Sequence, residues 1–197
     1  MGEIARCAFG RWQPGIGDPT VLGWVTVAIY LSVALLAFRV RAGASFPMAS
    51  RRRERGFWLC LGLFLLFMAL NKQLDLQSFM TVTGRCAAKI QGWYETRRAV
   101  QGQVLLAMAL AGGAIFIGLF WLMRGSWRRN GLAVLGLSLT AVFIAVRAVG
   151  FHHFDHLLGV EVLYLRLNGW FELAGPALIA LAALLLLRRR TQGNSDL

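Results

Sequence analysis

The histidines are the side chains of this chain best suited to metal or acid–base chemistry, and all three fall within five consecutive positions. If that segment is helical, His152 and His156 share one face at a spacing of four residues, with Asp155 beside them. This spacing can present two imidazoles to one divalent metal ion, and Asp155, Asp75 or Glu172 could supply a third ligand. The motif is weak, because the glutamate of the zinc motif H-E-x-x-H is absent.

Other interpretations of the histidines stay open at this point. A single histidine oriented by a neighbouring carboxylate can act as a general acid or base. Histidines at a membrane surface can also simply hydrogen-bond lipid head groups. A haem is disfavoured, because two axial histidines normally come from separate helices and these three are local. The sequence therefore leaves the cofactor unknown, with a divalent metal as one candidate.

A second group of polar residues lies inside apolar segments. Counted at about 1.5 Å per helical residue, Asn71, Arg147 and Glu172 fall about 21 to 22 Å above the inner ends of their segments. Lys72 and Asp75 follow just above Asn71. A charge at that depth costs a few kcal/mol unless it is paired or hydrated. We therefore expect a hydrated pocket that opens outward, in which Arg147 pairs with Glu172 or Asp75. Contacts that merely hold helices together are the alternative.

Two local features bear on this pocket. Asn71, Asp75 and Ser78 follow a helical spacing, which predicts that they share one face of a single helix. Pro176 lacks an N–H, which leaves the carbonyl of Glu172 without its helical partner at the same depth.

The elements that carry these residues are apolar segments long enough to cross a bilayer. The chain is 57% hydrophobic and 15% charged, with a mean hydropathy of +0.59, which is typical of a membrane protein. A span needs about 20 apolar residues. The predicted fold is all-α: a single transmembrane domain, residues 1–197, with five transmembrane helices. The predicted spans are Val21–Phe38, Phe57–Gln77, Gln103–Met123, Leu132–Gly150 and Gly169–Leu187.

The segment between the second and third spans is too long for a turn. Its apolar residues recur at spacings of three and four: Phe79, Val82, Cys86, Ile90 and Trp93. This pattern predicts an outer amphipathic helix over residues 78–98 that lies at the membrane interface. Arg97 and Arg98 end the segment, where they could bind phosphate or carboxylate.

Basic residues predict the orientation. The loops 39–56 and 124–131 and the tail from residue 188 carry twelve of the 21 Arg and Lys residues, against Glu54 and Asp196. The positive-inside rule then places the N-terminus in the periplasm and the C-terminus in the cytoplasm. Cys7 and Cys86 share the outer, oxidising side, where a disulfide can form, whereas Cys60 is expected to pack within a span. Because the arginines flank apolar segments, their charge indicates membrane topology and not nucleic-acid binding.

Several blocks carry a resemblance: Trp12–Thr20 before Gly23 and Trp24, Asn71–Gln77, Gly92–Tyr94 with Arg97–Gln101, and Arg147 with Phe151–Asp155. Together they resemble a group of small multi-pass membrane proteins of proteobacteria. The resemblance runs over nearly the whole chain. It implies a bacterial inner membrane, and it implies no particular reaction.

The leading functional hypothesis is an outward-facing pocket that binds a lipid-like or anionic substrate, with chemical modification of that substrate left open. Arg97, Arg98 and Arg147 would neutralise the head group, with Asn71 and Lys72 as further ligand-binding residues. The candidate catalytic residues are His152 or His156 as base or metal ligand, with Asp75, Asp155 and Glu172 to orient them. The alternative is a non-catalytic subunit or assembly factor that contacts other membrane subunits, and a third reading is a haem or quinone redox protein. Expected partners are membrane lipids and not nucleic acid.

Overall fold

A computed structural model describes residues 2–13, 15–149, 161–162 and 165–195 of the chain. These residues form seven α-helices: α1 Gly2–Phe9, α2 Val21–Gly43, α3 Arg51–Leu74, α4 Leu76–Ile90, α5 Arg97–Leu122, α6 Trp127–Val149 and α7 Leu167–Ser195. A 3-10 turn at Tyr94–Thr96 precedes α5. Strands β1 (Glu161–Val162) and β2 (Leu165–Arg166) form a short antiparallel pair before α7. Apart from this pair and the connecting loops and turns, the described chain is helical.

Three of these helices are long and apolar enough to cross a membrane: α2, α3 and the part of α7 from Gly169 to Arg188. They correspond to the first, second and fifth predicted spans, and they indicate a membrane protein. Helix α5 contributes a shorter apolar stretch, Ala109–Leu122. Three of the five predicted spans are therefore confirmed as long apolar helices, and the other two stay predictions.

The core lies where α2 packs against α3 and α7, and where α7 packs against α6. Trp58, Leu65 and Ile179 are fully buried there. Small residues allow the close approach of α6 and α7: a Cβ at Gly136 would stand 2.6 Å from the carbonyl oxygen of Gly175. Such contacts between small residues are a common way to hold helices together in a membrane.

The chain leaves the α3 axis at Asp75, which corrects the prediction of one continuous polar face. Asp75 adopts a left-handed conformation with φ of 47°, so α3 ends at Leu74 and α4 begins at Leu76. The Asp75 carboxylate accepts a hydrogen bond from the Ser78 N–H at 3.4 Å and caps α4. Ser78 therefore belongs to a different helix from Asn71. A short polar side chain tolerates this conformation better than most, which the spacing argument did not consider.

The predicted amphipathic helix forms, but it is shorter than expected and packs on α1. It ends at Ile90, before the turn at Gly92, where φ is +77°. Cys7 of α1 and Cys86 of α4 form a disulfide, and the rings of Phe9, Trp12 and Phe79 cluster beside it. The two short helices are thus joined covalently. Trp93 lies outside α4, in the turn that follows.

The expectation that Cys60 packs within a span was wrong, and two glycines of α5 also lie away from helix contacts. Cys60 is exposed on α3, although a buried position was expected. Gly112 and Gly113 of α5 have no atoms within 4 Å of an added Cβ, so among the described residues they mediate no close helix contact. The reason is shared: in a membrane the outer surface of a helix is as apolar as its inner surface, so hydropathy does not tell which face packs.

Candidate functional site

A polar cavity of about 250 Å³ lies where the C-terminal end of α3 meets the segment before α2 and the N-terminal part of α7. Polar side chains line one part of its wall: Asp18, Asn71, Lys72, Asp75 and Glu172. Tyr30, Met68, Phe143 and Ile144 line the remainder. The cavity therefore offers charged groups beside an apolar and aromatic surface, which suits a ligand that has both characters.

Lys72 is the centre of the charged wall. Its ammonium lies 3.0 and 3.1 Å from the two carboxylate oxygens of Glu172, and 3.3 Å from a carboxylate oxygen of Asp18. The Glu172 side chain is 9% exposed, that of Lys72 15% and that of Asp18 31%. The three residues come from α3, α7 and the segment before α2. Lys72 therefore links three parts of the chain, with Glu172 as its more buried partner.

Asp18 is held in place by the turn that starts α2. Its carboxylate accepts hydrogen bonds from the Thr20 hydroxyl at 2.6 Å and from the Thr20 N–H at 3.3 Å. The Thr20 hydroxyl oxygen in turn accepts from the Gly23 N–H at 3.0 Å and caps the helix. The hydrogen bond from Thr20 and the interaction with Lys72 lower the pKa of Asp18, against a smaller opposing effect of burial. Asp18 is thus a stably ionised carboxylate beside the cavity.

The same segment is tied to the end of α3 through its backbone. The Gly17 N–H donates to the Gln73 carbonyl at 2.6 Å, and the Gln73 side-chain amide donates to the Asp18 carbonyl at 3.4 Å. Gly17 lies so close to Asp75 that an added Cβ would stand 2.9 Å from the Asp75 Cβ. Glycine at position 17 therefore permits the contact that closes this side of the cavity.

The structure brings together four residues that the sequence singled out: Asn71, Lys72, Asp75 and Glu172 all line the cavity. Among the described side chains, Glu172 pairs with Lys72. The predicted pairing of Arg147 with Glu172 or Asp75 lies outside the described side chains and stays a prediction.

The other predicted site residues are placed less fully. The backbones of Arg97, Arg98 and Arg147 lie in α5 and α6, and their side chains fall outside the described part of the chain. His152, Asp155 and His156 also lie outside the described residues. Within the residues that are described, no group of three or more His, Cys, Asp and Glu side chains could hold a metal ion. The proposed metal site thus depends on the histidine segment itself.

Sequence reasoning missed the role of Asp18. Asp18 lies in the resembling block Trp12–Thr20 but was not among the predicted pocket residues. The available signal was the run Asp18–Thr20 directly before an apolar segment, because Asp and Thr there are typical of a helix N-terminus. That run fixes the carboxylate at the start of α2, level with the end of α3.

Sequence reasoning also missed a buried polar network at the other end of the bundle. Glu54, counted as a loop residue, lies in the first turn of α3 and is fully buried. Arg129 donates to both of its carboxylate oxygens, at 2.7 and 3.2 Å, and Asn130 donates at 2.7 Å. The Trp58 indole N–H donates to the Asn130 side-chain oxygen at 2.9 Å. These bonds join α3 to α6, so the network is structural.

No protein-family model, curated protein or solved structure matches this chain. The function must therefore be inferred from the cavity itself.

Proposed function

We propose that this chain is a multi-pass protein of a bacterial inner membrane whose cavity binds the charged head group of a lipid-like molecule. The observation that supports the proposal is the Lys72 ammonium, held between Asp18 and Glu172 at the wall of a cavity with an apolar side. Ionisable groups inside apolar helices are expensive, and they commonly mark binding sites. In this proposal the cavity faces the periplasm and the basic loops face the cytoplasm.

The two carboxylates suggest how an anionic group would enter. Asp18 is the more exposed partner of Lys72 and lies at the longer distance of 3.3 Å. A phosphate or carboxylate of the ligand would replace Asp18 at Lys72 and leave the buried Glu172 pair in place. Tyr30, Met68 and Phe143 would contact the adjoining apolar part of the ligand. Arg97, Arg98 and Arg147 are proposed to add positive charge.

Chemical modification of the ligand is a further part of the proposal. His152 or His156 would act as base or metal ligand, with Asp75, Asp155 and Glu172 as orienting carboxylates. Elemental analysis of the purified protein tests the metal directly. A stoichiometric divalent ion that is lost in a His152→Ala/His156→Ala variant supports metal-assisted chemistry, and its absence from the wild-type protein refutes it.

Cysteine labelling tests the cavity. In a Cys60→Ala background, Asn71→Cys should react with a membrane-impermeant maleimide added from the periplasmic side, because a hydrated cavity allows the thiol to ionise. Leu63→Cys is the matched control, since Leu63 is 53% exposed on the same helix but would face lipid. Equal labelling of both positions, or labelling of Asn71→Cys only from the cytoplasmic side, would contradict the proposal.

The same assay tests the class of ligand. Lysophosphatidic acid should slow the labelling of Asn71→Cys, and monoacylglycerol, which lacks the phosphate, should not. Equal protection by the two lipids would show that Lys72 does not recognise the anionic group.

A second candidate function is that of a subunit or assembly factor in a larger membrane complex. Helix α5 favours it, because Leu110, Ile115 and Trp121 are between 62 and 73% exposed and much of this helix projects from the core. Another membrane protein could cover that surface. Purification in a mild detergent distinguishes the two: a stable monomer that retains cavity labelling supports the first function, and a stoichiometric partner supports the second.

A further inference from the structure

A second cleft lies at the end of the bundle opposite the polar cavity, between the start of α6 and the end of α7. It has a volume of about 90 Å³. Its walls are apolar, formed by Leu132, Leu185 and Leu186, and Trp127, Arg128 and Arg129 lie at its rim. An apolar cleft with arginines and a tryptophan at one end has the general character of a lipid site at a membrane boundary.

The arginines at this rim are not equivalent. Arg129 turns toward the core and binds both carboxylate oxygens of Glu54. Arg128 is exposed, and among the described residues its side chain has no hydrogen-bond or ion-pair partner. Arg188 lies three residues after Leu185 on α7, so the two positions are neighbours on the helix surface. The Arg188 side chain is also exposed, and it too has no hydrogen-bond or ion-pair partner among the described residues. Arg128 thus lies at the cleft itself, and Arg188 follows one helical turn after the wall residue Leu185.

Charge at this end of the bundle favours an anion. The buried carboxylate of Glu54 links α3 to α6, and Arg129 already pairs with it. Arg124, which follows the end of α5, adds positive charge at this end of the bundle, where Arg53 of α3 donates to the Leu122 carbonyl at 3.4 Å. An arginine can bind a phosphate through two parallel N–H donors, which makes Arg128 and Arg188 suitable phosphate ligands.

We propose that this cleft binds an anionic phospholipid, with Arg128 and Arg188 on its phosphate. Trp127 is half-buried and would lie at head-group level, while an acyl chain would run along Leu132 and Leu185, which are each 39% exposed. The continuous apolar wall favours a phospholipid over free phosphate, because it offers burial to an acyl chain. This site is independent of the ligand proposed for the polar cavity.

Native mass spectrometry of the full chain tests the proposal. Detergent-solubilised protein is incubated with phosphatidylglycerol or with phosphatidylcholine, and the retained lipid is counted. The wild-type protein should retain phosphatidylglycerol preferentially. Arg128→Gln/Arg188→Gln should bind it roughly thirtyfold more weakly, on the basis of about a five- to sixfold effect for each arginine.

The matched control is Arg39→Gln/Arg41→Gln, which removes the same charge from two exposed positions of the same end of the bundle. This control should bind phosphatidylglycerol like the wild type. If both double variants lost phosphatidylglycerol binding equally, general surface charge would explain the binding and the proposal would be overturned. Equal retention of phosphatidylcholine by the wild type, or displacement of the lipid by inorganic phosphate at equal concentration, would also overturn it. Circular dichroism confirms that both variants are folded before lipid is added.

Discussion

The buried Glu54 carboxylate provides the sharpest test of how the bundle is held together. Arg129→Met removes its charged partner and keeps much of the side-chain volume. Glu54 is 0% exposed and would retain only the hydrogen bond from Asn130 among those described above. Removal of one partner of a buried ion pair typically costs about 3 to 5 kcal/mol, because the remaining charge is uncompensated. Since the Arg129 side chain is 26% exposed, water can replace part of its contribution, and we expect about 3 kcal/mol.

The assay is reversible unfolding in mixed micelles, followed by circular dichroism. Arg55→Met is the matched control, because Arg55 is an exposed arginine in the same first turns of α3. It should change the free energy of unfolding by no more than about 0.5 kcal/mol.

A double-mutant cycle separates the ion pair from general damage. Glu54→Gln/Arg129→Met removes both charges, so it should be more stable than Arg129→Met alone, with a coupling energy of about 2 kcal/mol. A coupling energy below about 0.5 kcal/mol would show that Glu54 and Arg129 do not depend on each other, and the reasoning would fail.

Further variants test other parts of the molecule. Gly136→Leu should destabilise the protein by at least about 2 kcal/mol in the same unfolding assay, because a side chain there meets the α7 backbone, whereas Gly112→Leu should be nearly neutral. The pKa of Asp18 is lowered in the folded chain, so its contribution to stability is complete above about pH 4 and is lost as the pH falls through the lower folded value. Asp18→Asn should therefore flatten the acid side of the stability curve, and an unchanged slope would contradict the stabilisation of the Asp18 carboxylate by the Thr20 hydrogen bond and by Lys72. Cys86→Ser should release α1 from α4, which limited proteolysis detects as faster cleavage near the N-terminus; unchanged cleavage would mean that packing alone holds α1.

Local properties of the sequence were sufficient for the apolar helices α2, α3 and α7. The length and hydropathy that let a helix cross a membrane are properties of one segment, so they can be predicted without knowledge of the neighbouring helices. Helical rise converts residue number into height, and on that basis four polar residues were predicted to lie at a common level. These residues line the cavity: Asn71, Lys72, Asp75 and Glu172. The prediction of one continuous helix through Asp75 was wrong, because Asp75 adopts a left-handed conformation and a new helix starts after it.

The sequence alone determined that α2, α3 and α7 are long apolar helices, because hydropathy is a local property of each segment. The height of their polar residues in a membrane stays a prediction from helical geometry. The tertiary structure decided which charges meet: Lys72 binds Glu172, 100 residues later, and Arg129 binds Glu54, 75 residues earlier. The height of a residue along a helix does not determine how that helix is rotated about its axis or which helix it packs against. Both depend on close contacts such as that of Gly136 with Gly175. An ion pair forms only where packing brings its members within about 4 Å, so partners cannot be read from either segment separately.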